Sequence, residues 1–298
     1  MQTDGPPFMG GEMLGRREYQ DKGGSLTNLK TGATAAMLGL SDEGTRMYER
    51  HGLVYPARDE VSGYRSFDIM DVVMLQSARA YRQAGFTLEK TSELVHGGTV
   101  EELACAYESL VDELERDLAY LRAKTEYVRL QAVWVRDLPT SVGVCTLVER
   151  PGLYRFEYMS DGGIDLGEGR EETMAAWAAY SPFAMISTRY PCERIADGTM
   201  LRDAYGVGVI SGLGVFEKYA KLLGIQAGPH VVYWPAVRAI HTVTLANNNG
   251  LNPDFAPVRD FAAENGLTVT GDALSFAIAS LDYDGEFDRY CHLWVPCA

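Results

Sequence analysis

From residue 33 onward, apolar residues recur at helical spacing in short blocks, and glycine closes each block. The first block, 33–38, ends at Gly39. A second begins after Ser41, a good N-cap, runs to about Arg50 and ends at Gly52. A Leu38-Gly39-Leu40 link between two helices is the mark of a helix-turn-helix. Residues 54–65 are turn-rich and β-tending, with Pro56, Asp59-Glu60 and Ser62-Gly63, and predict a hairpin with its tip at 59–63. Asp68 then caps a helix over 69–83 stopped by Gly85, and Thr87 caps one over 88–95 stopped by Gly97-Gly98. Residues 1–26 have many glycines and no period, which predicts a disordered arm.

Residues 100–135 read as one long helix. Leu103, Tyr107, Leu110, Leu114, Leu118, Leu121 and Val128 fall three or four apart, with Thr125 filling the gap and charged residues on the other faces. About 36 residues at a rise of 1.5 Å make a rod of roughly 54 Å, and its narrow seam needs a partner; a second copy of the chain is the simplest one. Pro139 is expected to end the rod. Residues 141–298 then read as a tandem repeat. The first half is strand 141–148, strand 153–159, helix 171–180 and strands 183–190 and 204–210. The second is strand 237–245, helix 256–265 and strands 274–281 and 289–295, with a helix over 215–223 between the halves. Two such units pack side by side as one sheet backed by helices, and the crevice between equivalent halves suits a ligand.

Composition changes this picture in two places. The net charge of −14 argues against nucleic acid at first sight. The winged part is nearly balanced, however, and the acidity lies mainly in the C-terminal part, where it suits cationic or neutral ligands or simply keeps the chain soluble. The five cysteines, Cys105, Cys145, Cys192, Cys291 and Cys297, form no C-x-x-C pair, so reduced thiols are expected rather than a disulfide framework. No apolar run spans a bilayer and no leader is visible, which predicts a cytoplasmic protein without a membrane partner.

Arg46-Met47-Tyr48-Glu49, Gly52-Leu53, Pro56 with Arg58, Gly63-Tyr64-Arg65, Phe67, Asp71, Leu75, Gly85-Phe86 and Leu88-Glu89 stand in one order over about sixty residues. This stretch resembles the MerR family of winged helix-turn-helix regulators. The resemblance implies a homodimer, joined by an antiparallel helix pair, on palindromic double-stranded promoter DNA. It further implies that transcription changes by twisting that DNA, so that RNA polymerase is engaged indirectly. In that reading Ser41 and Thr45 lie on the recognition helix, Arg46 and Tyr48 reach phosphates, and Arg58, Tyr64 and Arg65 on the wing clamp the adjacent backbone. Met47 stands where the family has an aromatic. Asp42 and Glu43 stand where basic or neutral residues are usual; carboxylates there repel phosphate and can accept from cytosine amino groups.

Arg150-Pro151, Trp234-Pro235, Glu264-Asn265-Gly266-Leu267 and His292-Leu293-Trp294-Val295-Pro296 resemble the GyrI-like effector-binding domain of multidrug-sensing MerR regulators. The last motif carries His292 in place of a pocket glutamate, which predicts weaker selectivity for cations. Alternation puts Tyr290, His292 and Trp294 on one strand face, and Tyr154 and Tyr158 on one face of an earlier strand with Glu157 turned away. Tyr205, Tyr233 and His241 complete the candidate ligand set. Such aromatics suit flat ligands, and each is equally the kind of residue that fills a core.

The predicted fold is therefore multidomain, α and α+β: arm 1–26, winged helix-turn-helix 27–98, dimerisation helix 99–137 paired as an antiparallel coiled coil, and GyrI-like tandem domain 138–298. No cofactor, resident metal or catalytic group is expected. Three other readings stand beside a regulator sensing a small aromatic or apolar effector. A metal- or redox-responsive MerR regulator would use Cys105 but lacks a close cysteine pair after the long helix. A GyrI-like hydrolase needs the carboxylate that is His292 here. A ligand-sequestering protein would have no use for the winged helix.

Overall fold

The computed structural model describes residues 29–160, 163–164, 167, 169–199, 209–247 and 252–298. The predicted arm, most of the strand expected over 204–210, and Tyr205 lie outside these residues. The chain divides into two compact units, Met1–Glu113 and Leu114–Ala298, and the division falls within one helix.

In the first unit, β1 (Leu29–Lys30) leads into α1 (Thr31–Leu38) and α2 (Asp42–Arg50). Gly39, at φ 59°, makes the turn between them: the amides of Gly39 and Leu40 satisfy the last carbonyls of α1, a conformation only glycine adopts without strain. β2 (Ala57–Arg58) and β3 (Arg65–Phe67) form the wing, and β1 adds to β3, giving the order β1-β3-β2. α3 (Ile69–Ala84) starts with a reciprocal cap between Asp68 and Asp71, and α4 (Leu88–His96) with Thr87. Leu38, Tyr48, Leu53, Phe67, Val72 and Leu75 close one core beneath them.

α5 (Val100–Ser141) runs through Pro139 rather than ending there. Proline has no amide to give the Val135 carbonyl four residues back, and α5 continues for only two residues past it, where the hydroxyls of Thr140 and Ser141 donate to the Asp137 carbonyl at 3.1 and 2.8 Å. The strand expected from residue 141 accordingly begins only with β4 (Thr146–Arg150). The leucine seam is solvent-facing in the single chain: Leu114, Leu118 and Leu121 are 52, 47 and 56% exposed. A second stripe on the same helix, Tyr127, Trp134 and Leu138 among them, packs into the second unit.

That unit is built on a nine-stranded sheet. Its remaining elements are β5 (Leu153–Ser160), β6 (Gly163–Ile164), α6 (Arg170–Ala179), β7 (Met185–Tyr190), α7 (Cys192–Ala196), β8 (Ile210–Phe216), α8 (Glu217–Ala220), β9 (Val231–Trp234), β10 (Val237–Asn247), α9 (Ala256–Glu264), β11 (Ala273–Tyr283) and β12 (Glu286–Pro296). The strand order is β4-β10-β12-β11-β7-β8-β5-β6, with β9 also on β5 and every ladder antiparallel. A repeat is written in this order. Strand, helix, strand, strand occurs as β5-α6-β7-β8 and again as β10-α9-β11-β12, and in each the third strand pairs between the first two. The halves meet where β7 pairs with β11. The helix expected over 215–223 shrinks to α8, because Val215 and Phe216 complete β8 opposite Tyr154 and Leu153. Among the described residues, no helix is long and apolar enough to cross a membrane.

Candidate functional sites

On the first unit, the side chains assembled around α2 and the wing are arginines. Ser41 accepts from the Gly44 amide at 2.9 Å, which fixes the start of α2. Arg46 is exposed, with no hydrogen bond or ion pair among the described residues. Glu49 holds both wing strands to α2, taking Arg65 Nε at 2.5 Å and Arg58 Nη2 at 3.3 Å. Arg50 pairs with Glu43. Glu43, Arg46, Glu49, Arg50, Arg58 and Arg65 line one cleft of about 470 Å³. Four guanidinium groups against two carboxylates make it locally positive in a chain of net charge −14. At the wing tip, the Asp59 carboxylate accepts from the amides of Val61 and Ser62 and from the Ser62 hydroxyl, bonds that hold its pKa below the usual range. The tip thereby presents Tyr64, which is exposed.

Two expected contacts turn inward. Thr45 is fully buried, and its hydroxyl donates to the Ser41 carbonyl at 3.2 Å. Tyr48 packs in the core with Leu53 and Phe67. Both lie on the face of α2 that covers the unit, so the outer surface is left with Ser41, Arg46, Arg58, Tyr64 and Arg65.

In the second unit, register sorts the ligand candidates onto two faces. Glu157, Gly212, Ser187, Phe276, His292 and Val243 lie in one row across six strands. His241 stands opposite Trp294 on that same face, and Tyr290 alternates onto it with His292. Tyr154, Tyr158 and Tyr233 lie on the other face, where Phe156, beside Tyr158, meets Trp177 of α6. Tyr233 stacks on Tyr154, with centroids 4.9 Å apart, and its hydroxyl donates to Glu217 at 2.8 Å. The candidates therefore do not form one lining.

The face of His292 has two centres. One is aromatic. His241 Nε2 and His292 Nδ1 are 3.0 Å apart, Trp134 meets the His292 ring at 4.6 Å, and Trp294 lies 5.2 Å from it. Burial, and then the neighbouring His241, push the His292 pKa down to about 3. The other is ionic. Arg155, fully buried, donates to Glu157 at 2.6 Å, to the Ser187 hydroxyl and carbonyl at 3.1 Å each, and to the Ile210 carbonyl at 3.1 Å. Arg189 reaches Glu157 at 3.3 Å and Asp272 at 3.0 Å. Glu157 is thus spent on two arginines. Sequence reasoning missed Trp134 because the leucine seam dominates its helix, and Arg155 because a charge in an alternating strand reads as solvent-facing.

The depressed His292 pKa has a measurable consequence. The unfolded side chain, at 6.5, binds a proton that the folded one refuses down to about 3. Stability is therefore complete above the unfolded value and falls as pH drops through this window, by up to about 1.4 kcal/mol per pH unit. In urea unfolding between pH 4 and 7, His292→Gln is expected to lose this one-proton dependence. Identical pH slopes for both proteins would contradict the assignment.

Residues 29–97 match the family described as MerR HTH family regulatory protein. A probable heavy metal-dependent transcriptional regulator of Haemophilus influenzae is 38% identical over 61 residues, 20% of this chain and 48% of that one. The HTH-type transcriptional regulator CueR of Escherichia coli is 39% identical over 62 residues, 21% of this chain and 46% of that one. The chain thus spans about half the length of these two curated relatives. The HTH-type transcriptional regulator HmrR of Sinorhizobium medicae is 30% identical over 141 residues, which cover 45% of this chain and 88% of that one. Matched both by the family's own pattern and along nearly the whole of that relative, the chain belongs to the MerR HTH family of regulatory proteins.

Proposed function

We propose that this protein is a ligand-responsive transcriptional regulator that binds a palindromic promoter element as a homodimer. The arginine cleft of α2 and the wing carries this reading, since guanidinium groups gathered at one surface neutralise DNA phosphates. Residues 27–98 serve as the DNA reader, with Ser41, Arg46, Arg58, Tyr64 and Arg65 at the DNA. Residues 99–137 form the antiparallel coiled coil between two copies. Residues 138–298 act as the GyrI-like sensor of a small aromatic or apolar effector, whose binding distorts the DNA and reaches RNA polymerase through it. The repeat topology and the aromatic face of His292 support the sensor assignment.

The exposed leucine seam supports the dimer, and it supplies the test. Leu114→Asp puts a carboxylate into the seam, which costs several kcal/mol when buried against a second copy. Wild type is expected to sediment as a dimer at micromolar concentration. The variant is expected to sediment as a monomer with its fold intact, because Leu114 is half exposed in the single chain, and to lose affinity for the palindrome. A monomeric wild type, or a variant that still dimerises, would overturn the assembly.

The names of the relatives suggest metal sensing, but the described residues favour it little. They hold one set of three close ligand-type side chains, Cys192, Glu193 and Asp272. Asp272 already accepts from Arg189 and from the Cys192 amide. Burial, and then its bond to Glu193, push the Cys192 thiol up, away from the thiolate that a metal needs.

A further inference from the structure

The ionic centre on the His292 face leaves one cation without an acid. Arg155 and Arg189 share Glu157, and Arg189 also has Asp272. Arg150, at the end of β4, is only 2% exposed. Its Nη2 donates to the Pro235 carbonyl at 2.5 Å. Its Nε and Nη1 are buried with no hydrogen-bond partner among the described residues. Burial lowers its pKa to about 10, so it stays charged at neutral pH. A buried guanidinium with two nitrogens unsatisfied is costly, and the usual remedy is an anion.

A second orphan donor lies beside it. Trp234 immediately precedes Pro235, the residue whose carbonyl Arg150 holds, and its indole Nε1 is also buried and unpartnered. Register puts the two side chains on one face: Arg150 stands opposite Val237 and Trp234 opposite Leu153, and both rows lead to the face of Trp294. Arg155 lies 5.9 Å from the Trp234 ring, and the Arg150 charge is among the influences that lower its pKa, after burial. This end of the face thus carries three guanidinium groups, Arg150, Arg155 and Arg189, against the carboxylates of Glu157 and Asp272, and two sets of idle donors. Apolar rings complete it, with Phe216 stacked on Phe276 at 4.7 Å and edge-on to Trp294 at 6.1 Å.

We propose that Arg150 and the Trp234 indole form an anion subsite, and that the effector is an aromatic organic acid. Its carboxylate takes the free guanidinium nitrogens and the indole N–H, and its ring lies on the apolar part of the same face. This rests on the sensor reading of residues 138–298 and adds the charge of the ligand, which the −14 of the whole chain would not suggest.

The test compares three probes of one shape on the full chain: benzoate, neutral benzamide and cationic benzamidine at equal ionic strength. Benzoate is expected to raise the melting temperature progressively with concentration, and the other two much less. Arg150→Met is expected to abolish the benzoate shift while leaving the ligand-free melting temperature equal or higher, since an apolar isostere relieves an unpaired buried charge. Trp234→Phe, which removes only the N–H donor, is expected to weaken benzoate several-fold and covers the case in which Arg150→Met does not fold. A benzoate shift that survives both variants would overturn the subsite. Stabilisation by benzamide or benzamidine equal to that by benzoate would overturn the anion while leaving the sensor standing. No response to any probe would count against both.

Discussion

An alanine at Gly212 is expected to destabilise the C-terminal unit by about 3 kcal/mol or more, at the upper end of overpacking costs. Gly212 lies in β8 opposite Glu157, where β5 carries a bulge between Glu157 and Met159. A Cβ there would meet the Phe156 carbonyl oxygen at 2.0 Å, its carbon at 2.9 Å and Glu157 Cα at 3.1 Å. All three are backbone atoms, so no rotamer change relieves the overlap and the two strands must part. Gly212 also pairs with Ser187, whose hydroxyl and carbonyl hold Arg155, so the displacement reaches the buried ion network. All four tryptophans, Trp134, Trp177, Trp234 and Trp294, lie in this unit, so fluorescence-monitored urea unfolding reports on it directly. Gly228→Ala serves as the control, because a Cβ there meets nothing within 4 Å. Equal midpoints for the two variants would contradict the packing described.

The second large effect falls on DNA. Arg65→Ala is expected to weaken binding about tenfold on specific and unrelated duplexes alike, and to lower the slope of log affinity against log salt by about 1. The reason is positional. Glu49 anchors Arg65 and Arg58 together, so both wing guanidinium groups are held in place before DNA arrives. Arg46→Ala is expected to act in the same way, since that side chain has no ion pair among the described residues to give up. Arg50→Ala should matter less, because Arg50 has Glu43 to itself, whereas Arg58 and Arg65 share the single carboxylate of Glu49. Fluorescence anisotropy at several salt concentrations reads all three. A change of base preference without a change of salt slope would move Arg65 from the phosphates to the base edges.

Where structure follows from local bonds, the sequence was readable. Ser41, Asp68 and Thr87 each mark a helix start, and each side chain accepts the amide three residues on. Gly39 and Gly85 close their helices as expected. The elements that were misjudged are those decided by distant partners. β9 forms only because β5 offers a free edge. Val215 and Phe216 are strand because Tyr154 and Leu153 lie opposite them, although their own pattern suits a helix. Pro139 sits inside the last turn of α5, which ends two residues later at Ser141 with both closing hydroxyls on the Asp137 carbonyl. For the candidate sites, the arginines of α2 and the wing were visible from their spacing, while the burial of Thr45 and Tyr48 was not. Alternation separated Glu157 from Tyr154 and Tyr158, but it could not tell which of the two faces His292 shares. Arg150 was legible only as part of a motif and Arg155 not at all, because composition alone makes a buried arginine look like a surface one.

The most direct test of the account is an anisotropy titration of the full chain on a duplex carrying the DNA immediately upstream of its own gene, across a range of salt and with and without benzoate. The account predicts saturable dimer binding that weakens steeply and linearly in log salt, that exceeds binding to a scrambled duplex, and that benzoate alters in affinity or in DNA distortion. Affinity equal on both duplexes, or no binding even at low salt, would contradict it.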